Sequence, residues 1–202
     1  MKRLVLASQS PRRRELLALT GHSFDVIVSN VEETSVPGEL PAGHVARLAS
    51  LKASDVASRL DDGIVIGSDT VVVLDGNLLE KPLSREDAVD MLMQIQGHTH
   101  RVFTGYAIHD AADGRSIANY ETTAVTMRPM TREMAREYVA TNEPMDKAGS
   151  YGIQGYGAVL VTSIEGCYFT VMGLPLAKLM QSLFDFTGGE FGFFGTRPEV
   201  RT

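Results

Sequence analysis

The sequence predicts an α/β fold built on a mixed sheet, and three observations carry that prediction. Strand-like and helix-like stretches interleave along the whole chain. Tight-turn pairs at Asp75-Gly76 and Asp113-Gly114 place antiparallel hairpins among them. The run Gly63-Ile-Val-Ile-Gly-Ser-Asp-Thr-Val-Val-Val-Leu74 is dense in β-branched residues, the mark of strand structure buried on both faces.

Taken in order, residues 3–7 read as a first strand. Ser10 as N-cap and Pro11 at the first helical position then open a helix that runs to about Leu19 and ends at Gly21. Residues 24–28 make a second strand, and residues 29–41, carrying Pro, Gly, Ser and Glu, a loop. Residues 43–60 form a helix with Val45, Leu48, Ala49, Lys52 and Val56 on one face. The run 64–74 turns at Asp75-Gly76 and returns to near Glu80. Ser84, with Asp87 three residues on as an acidic variant of the capping box, starts a helix to about Ile95. Residues 99–109 and 117–127 are strands around Asp113-Gly114. Thr131 caps a helix with Met134, Ala135 and Tyr138 on one side, and a Gly-rich loop occupies 142–157. Residues 158–164 and 167–171 read as a hairpin through Glu165-Gly166, and Pro175 begins the last helix. From Phe186 the chain is dense in Gly and Phe without periodicity, a disordered extension or an edge that packs on a partner. Residues 1–186 are thus one domain and 187–202 a C-terminal tail.

The 202 residues suffice for one sizeable core or two small lobes sharing a sheet. A net charge of −6 argues against wholesale binding to nucleic acid. Cys167 is the single cysteine, so no internal disulfide forms and a reducing cytosol is expected. The N-terminal apolar stretch is too short for a signal peptide, and no segment is apolar enough to span a membrane. The expected setting is cytoplasmic.

Asp69 carries most of the functional signal. An acid within an apolar strand costs several kcal/mol unless a cation, a metal or several donors meet it, and stability alone gives no reason for it. Three other constellations offer partners. At Ser8-Gln9-Ser10-Pro11-Arg12-Arg13-Arg14, free amides and the positive end of the helix dipole sit beside arginines that are unfavourable there unless an anion is bound. Lys52 shares the apolar face of its helix and either snorkels to the surface or reaches a phosphate or Asp69. Lys81 precedes the rigid Pro82 just after the Asp69 hairpin, and Glu32 and Glu33 pair acids at a strand end, where one can help hold a divalent cation. In the loop Asp146-Lys-Ala-Gly-Ser-Tyr-Gly-Ile-Gln-Gly155, glycines admit close approach and Gln154 offers a donor and an acceptor that complement a pyrimidine imide edge. His98 and His100 alternate on a strand without a third ligand for zinc, and Cys167 reads as a small buried strand residue.

These segments resemble the Maf family of nucleoside triphosphate pyrophosphatases. The motifs occur in order: Leu6-Ala-Ser-Gln-Ser-Pro-Arg-Arg-Arg14, Gly67-Ser-Asp-Thr-Val-Val72, Glu80-Lys-Pro82, the stretch from Gly97 to Gly105, Asp146 to Gly155, and Val171-Met-Gly-Leu-Pro-Leu176. Gln9 and Ser68 depart from the pattern without changing charge. The resemblance implies an elongated central sheet flanked by helices, an inosine-triphosphatase-like architecture with a cleft between two lobes. It implies hydrolysis of a nucleoside triphosphate to the monophosphate and pyrophosphate with Mg²⁺ or Mn²⁺, and its loop is similar to that of the branch acting on dTTP and UTP. By the same carry-over Asp69 is the proton acceptor, and Arg12, Thr70 and Gln154 set base specificity. Ser8, Arg13, Glu33, Lys52 and Lys81 surround the phosphates and metal. Ser10 joins the substrate-binding set, with Asp69 and Glu33 as metal ligands. A homodimer is plausible for the family. Two other readings share these residues: a catalytically idle nucleotide-binding regulator of cell division and septum formation, and a purine-type house-cleaning pyrophosphatase.

Overall fold

The computed structural model describes residues 2–195. The elements are β1 (Leu4–Ala7), α1 (Pro11–Ala18), β2 (Asp25–Val26), α2 (Pro41–Ala57), β3 (Ile64–Leu74), β4 (Asn77–Leu79), α3 (Arg85–Ile95), β5 (Thr99–Asp110), β6 (Ser116–Met127), α4 (Arg132–Ala140), β7 (Val161–Glu165), α5 (Tyr168–Met172) and α6 (Leu176–Phe186). Seven strands form one sheet in the order β2-β1-β3-β5-β6-β7, with β4 paired to β3 off this path. β1 runs parallel to β2 and β3, whereas β3–β4 and β6–β7 are antiparallel, so the sheet is mixed as expected. Asp75 and Gly76 both have positive φ (49° and 84°), the backbone a two-residue I′ hairpin requires.

The described chain divides into two compact units. One comprises residues up to Asp69, Thr104–Glu121 and those from Gly173 onward; the other comprises Thr70–Phe103 and Thr122–Met172.

In the first unit, Val5, Ala7 and Val65 of the strands meet Ala49, Ala53 and Val56 of α2 in a core of small side chains. Small residues let the helix axis approach the sheet, and two glycines carry the approach to its limit. A Cβ on Gly67 would lie 2.1 Å from the Ala49 carbonyl oxygen, and one on Gly105 2.2 Å from that of Val45. The α2 backbone therefore rests on bare strand backbone, and this fixes where Lys52, three residues after Ala49, projects.

Tail residues 187–195 fold back onto this same unit. Phe191 is fully buried and meets His22 edge-on at 5.7 Å. His22 Nε2 donates to the Gly192 carbonyl at 2.9 Å, the Gly195 N–H donates to Thr20 O at 2.9 Å, and the Lys2 N–H donates to Glu190 Oε1 at 2.6 Å. The remainder of the expected tail, 196–202, lies outside the described residues.

The second unit has its own core, in which Val72, Leu79, Leu92, Val102, Val125, Met127, Val139 and Tyr151 are buried together. Both caps read from the sequence form: Ser84 Oγ accepts from the Asp87 N–H at 3.1 Å, and Thr131 Oγ1 from the Met134 N–H at 3.3 Å.

The structure corrects the expected hairpin of residues 158–171. Only Val161–Glu165 is strand; residues 155–160 form a 3-10 turn and Tyr168–Met172 is helical. The reason is a side chain. The Thr123 hydroxyl accepts from the Cys167 N–H at 2.9 Å and donates to its carbonyl at 3.0 Å, which occupies the groups a returning strand would pair. The same carbonyl accepts from the Thr170 N–H at 3.1 Å and begins the helical turn. Cys167 is accordingly half-buried before a helix rather than buried in a strand. β2 is also shorter than residues 24–28, and the 142–157 loop is tightened by short 3-10 turns.

Candidate active site

The cation that Asp69 requires is Lys52. From α2 its Nζ reaches Asp69 Oδ1 at 2.6 Å, with both side chains about nine-tenths buried, and it meets Glu33 Oε1 at 2.5 Å. Glu33 is itself half-exposed, on the irregular stretch between β2 and α2. Two carboxylates thus converge on one ammonium, and in the buried Lys52–Asp69 half the low dielectric strengthens the attraction while desolvation opposes it.

Arg13 braces this group from α1. Its Nε donates to the Gly173 carbonyl at 2.9 Å and its Nη1 to the Ser68 carbonyl at 2.8 Å. Burial lowers the guanidinium pKa, while the charges of Asp69 and Glu33 act to raise it. Ser68 is fully buried and its hydroxyl is within reach of the carbonyls of Gly105 (2.8 Å) and Gly173 (2.9 Å). Ser68, the residue before Asp69, is therefore held from three chain segments, those of Arg13, Gly105 and Gly173. None of these carbonyl contacts carries a sequence signal, because any residue has a carbonyl.

Ser10 caps α1 as expected, its Oγ accepting from the Arg13 N–H at 3.5 Å, and Ser8 Oγ accepts from the Ser10 N–H at 3.1 Å. These two bonds hold the turn that leads from β1 into the arginine-bearing helix start. Arg12 lies on the first turn of α1, half-buried, and its charge opposes that of Arg13. The structure thus gathers Arg13, Glu33, Lys52 and Asp69 in the first unit, with Ser8, Ser10 and Arg12 at its helix start.

Thr70, Lys81 and Gln154 belong to the second unit. Thr70 follows Asp69 within β3, and Lys81 is exposed just past β4. The Glu80 carbonyl beside it accepts from the Gly149 N–H at 3.1 Å, which ties the Lys81 turn to the Gln154 loop. Gln154 Oε1 is buried without a hydrogen-bond partner. His100 is fully buried on β5, with Nε2 2.8 Å from the Tyr151 hydroxyl, and desolvation pushes its pKa down to about 4. A residue that sequence reasoning missed, Glu143, stands in the same loop; its faint signal is an acid followed at close spacing by Gly152, Gly155 and Gly157.

The donor set is compatible with a hard divalent cation. Asp69 and Glu33 supply carboxylate oxygens that already converge on a positive charge. Among the described residues no group of three or more His, Cys, Asp or Glu is placed to hold a metal. Asp69 and Glu33 would give such an ion one or two carboxylates, the pattern in which Mg²⁺ takes its remaining ligands from water and phosphates.

Fold and site together define an α/β protein in which a buried acid and lysine are braced by a half-buried arginine. The chain belongs to the Maf-like protein family, whose sequence profile matches residues 3–186. It is 49% identical over 183 residues to a dTTP/UTP pyrophosphatase of Pelotomaculum thermopropionicum, covering 91% of this chain and 96% of that one. It is 47% identical over 189 residues to a dTTP/UTP pyrophosphatase of Bacillus cytotoxicus, covering 94% and 98%. Among solved structures, the Ham1 protein of Staphylococcus aureus shares the fold, with a TM-score of 0.57 at 15% identity over 94% of this chain and 100% of that one. No helix among the described residues is long and apolar enough to cross a membrane.

Proposed function

We propose that this protein hydrolyses dTTP and UTP, or modified pyrimidine nucleoside triphosphates, to the monophosphate and pyrophosphate. The observation that carries the reading is the buried Asp69–Lys52 pair, extended to Glu33 and braced by Arg13. A carboxylate held on an ammonium in a dry setting is an expensive arrangement that phosphoanhydride hydrolysis puts to use. The two relatives that carry the name dTTP/UTP pyrophosphatase support the substrate class.

Asp69 would hold a Mg²⁺ or Mn²⁺ ion together with Glu33. When bound, that ion supplies Lewis-acid charge to the phosphates and acidity to a water. Asp69 orients the attacking water and receives its proton as the new bond to the α-phosphorus forms. The bond from the α-phosphorus to the bridging oxygen breaks, and that oxygen leaves with the pyrophosphate. Lys52, Lys81, Arg12 and Arg13 counter the charge that grows on the phosphate oxygens. Ser8 and Ser10 hold the α1 start at which a phosphate docks. Thr70 and Gln154 read the base, and the partnerless Oε1 of Gln154 suits the imide N–H of a uracil or thymine ring. A cytosolic setting and a homodimer are part of the same proposal.

A panel of pyrimidine and purine triphosphates, assayed for pyrophosphate release with several divalent ions, tests the reading. Metal-dependent release that is fastest with dTTP and UTP supports it. Much faster purine hydrolysis would overturn the Gln154 assignment, and binding without release would leave a nucleotide-binding regulator.

A further inference from the structure

The loop carrying Gln154 is wrapped around a single carboxylate. Glu143 Oε1 accepts from the Tyr138 hydroxyl at 2.8 Å and from the Gly157 N–H at 2.9 Å, and Oε2 accepts from the Tyr156 N–H at 2.7 Å. The Tyr138 hydroxyl, while donating to Glu143, accepts from the Gly152 N–H at 3.0 Å. Backbone amides on both sides of Gln154 are therefore gripped by one Glu–Tyr unit: Gly152 before it, Tyr156 and Gly157 after it.

The glycines record how close the wrap is. A Cβ on Gly155 would stand 2.3 Å from Glu143 Oε2, one on Gly152 3.3 Å from Oε1, and one on Gly157 2.7 Å from the Tyr138 hydroxyl oxygen. Lys147 Nζ donates to the Glu143 carbonyl and pairs with Asp146 at 2.7 Å, which pins the start of the loop. Burial acts to raise the Glu143 pKa, but the Gly157 N–H, the Tyr138 hydroxyl and the Tyr156 N–H together bring it below the usual carboxylate range. The group is held as an anion with its lone pairs directed at the loop. Gln154 itself makes no hydrogen bond through Oε1, whereas the amides of Gly152, Tyr156 and Gly157 that flank it are held by the Glu–Tyr unit.

We propose that Glu143 is a positioning residue for base selection: an internal anion that replaces side-chain packing as the template of the 152–157 loop and fixes where Gln154 presents its amide. It touches neither the phosphates nor the reacting atoms. Its effect is confined to the base, which distinguishes it from Asp69 and Lys52. This inference rests on the pyrimidine reading of Gln154 given above.

The test compares the wild type with Glu143→Gln and Tyr138→Phe. Glutamine keeps the size of the side chain but turns one acceptor into a donor, which faces either the Tyr156 or the Gly157 N–H. Tyr138→Phe removes the hydroxyl that joins Glu143 to Gly152. For both variants KM for dTTP and UTP is expected to rise about tenfold or more, with kcat within about threefold of wild type. Preference for pyrimidine over purine triphosphates is expected to fall about tenfold as well, while competitive inhibition by inorganic triphosphate, which has no base, stays unchanged. Near-UV circular dichroism checks the fold, and if one variant fails to fold the other carries the measurement. A fall in kcat at unchanged KM, an equal loss of triphosphate binding, or an unaltered base preference would overturn the proposal. If the wild type itself lacked a pyrimidine preference, the reading of Gln154 would fail instead, before any variant was compared.

Discussion

Lys52 Nζ lies 2.6 Å from Asp69 Oδ1, and neither side chain is more than a tenth exposed. A pair this buried is conditional on both members. Removing one leaves the other charged in a medium that solvates it poorly, and the loss is felt in stability as well as in activity.

The first prediction follows from that asymmetry. Lys52→Met is expected to lower unfolding stability by roughly 3–5 kcal/mol, because Asp69 is left uncompensated. Asp69→Asn in the same background should return part of it. Urea unfolding of both single variants and the double variant measures the coupling; additive losses would mean that the pair contributes no mutual stabilisation.

Asp69→Asn alone is expected to reduce kcat for dTTP by about 10²–10⁴-fold, since the amide neither accepts the water proton nor holds a cation as a carboxylate does. Steady-state pyrophosphate release measures it. Hydrolysis at the wild-type rate in this variant would remove Asp69 from the mechanism.

Gly67→Ala introduces a Cβ 2.1 Å from the Ala49 carbonyl oxygen, so α2 must withdraw from the sheet. The cost is expected to be about 3 kcal/mol, at the upper end for overpacking because the obstacle is backbone. Activity should fall with it, since Lys52 travels with α2. A melting temperature equal to wild type would show that the contact is softer than the geometry requires.

His100 gives the pH dependence. Burial depresses its folded pKa from 6.5 to about 4, so the unfolded chain binds the proton first as pH falls. This contribution is fully present above about pH 6.5 and is lost between there and pH 4, on the order of 3 kcal/mol in total. The imidazolium carries a hydrogen on both ring nitrogens, and Nδ1, buried without a partner, has nothing to receive its own. Urea midpoints at pH 7 and pH 5 should differ by less in His100→Gln than in the wild type.

Phe191→Ala should cost about 3 kcal/mol or more, the usual range for deleting a buried phenyl ring. Thermal unfolding tests it, and an unchanged transition would mean that residues 187–195 are dispensable to the first unit.

Much of this was legible in the sequence because it is written locally. The Ser10, Ser84 and Thr131 caps, the Asp75-Gly76 turn and the long β3 run all depend on residues within a few positions of one another. Asp69 was legible for a different reason: a charge in an apolar run demands a partner, and Lys52 on an apolar helix face is the complementary anomaly. The stretch Cys167-Tyr-Phe-Thr-Val171 misled because its composition is strand-like, while the determinant is the Thr123 hydroxyl, 44 residues away. Arg13's bonds to the Ser68 and Gly173 carbonyls could not be anticipated, since a carbonyl leaves no mark on composition. Glu143 escaped notice because its partners are mostly backbone amides, and Phe and Gly without periodicity left the tail open between a disordered extension and an edge that packs on a partner.

The clamp on Ser68 and Gly173 bears on the order of assembly. Lys52 and Asp69 are both present once the first 69 residues exist, but the carbonyl gripped by Arg13 and Ser68 comes from Gly173, and the ring that closes on His22 from Phe191. Contacts between such distant parts of the chain form late, because the intervening loop must first be closed. During synthesis, then, the acid and its lysine have only the Arg13–Ser68 part of their brace for most of the chain's growth, and the Gly173 part is added when the chain ahead of α6 emerges.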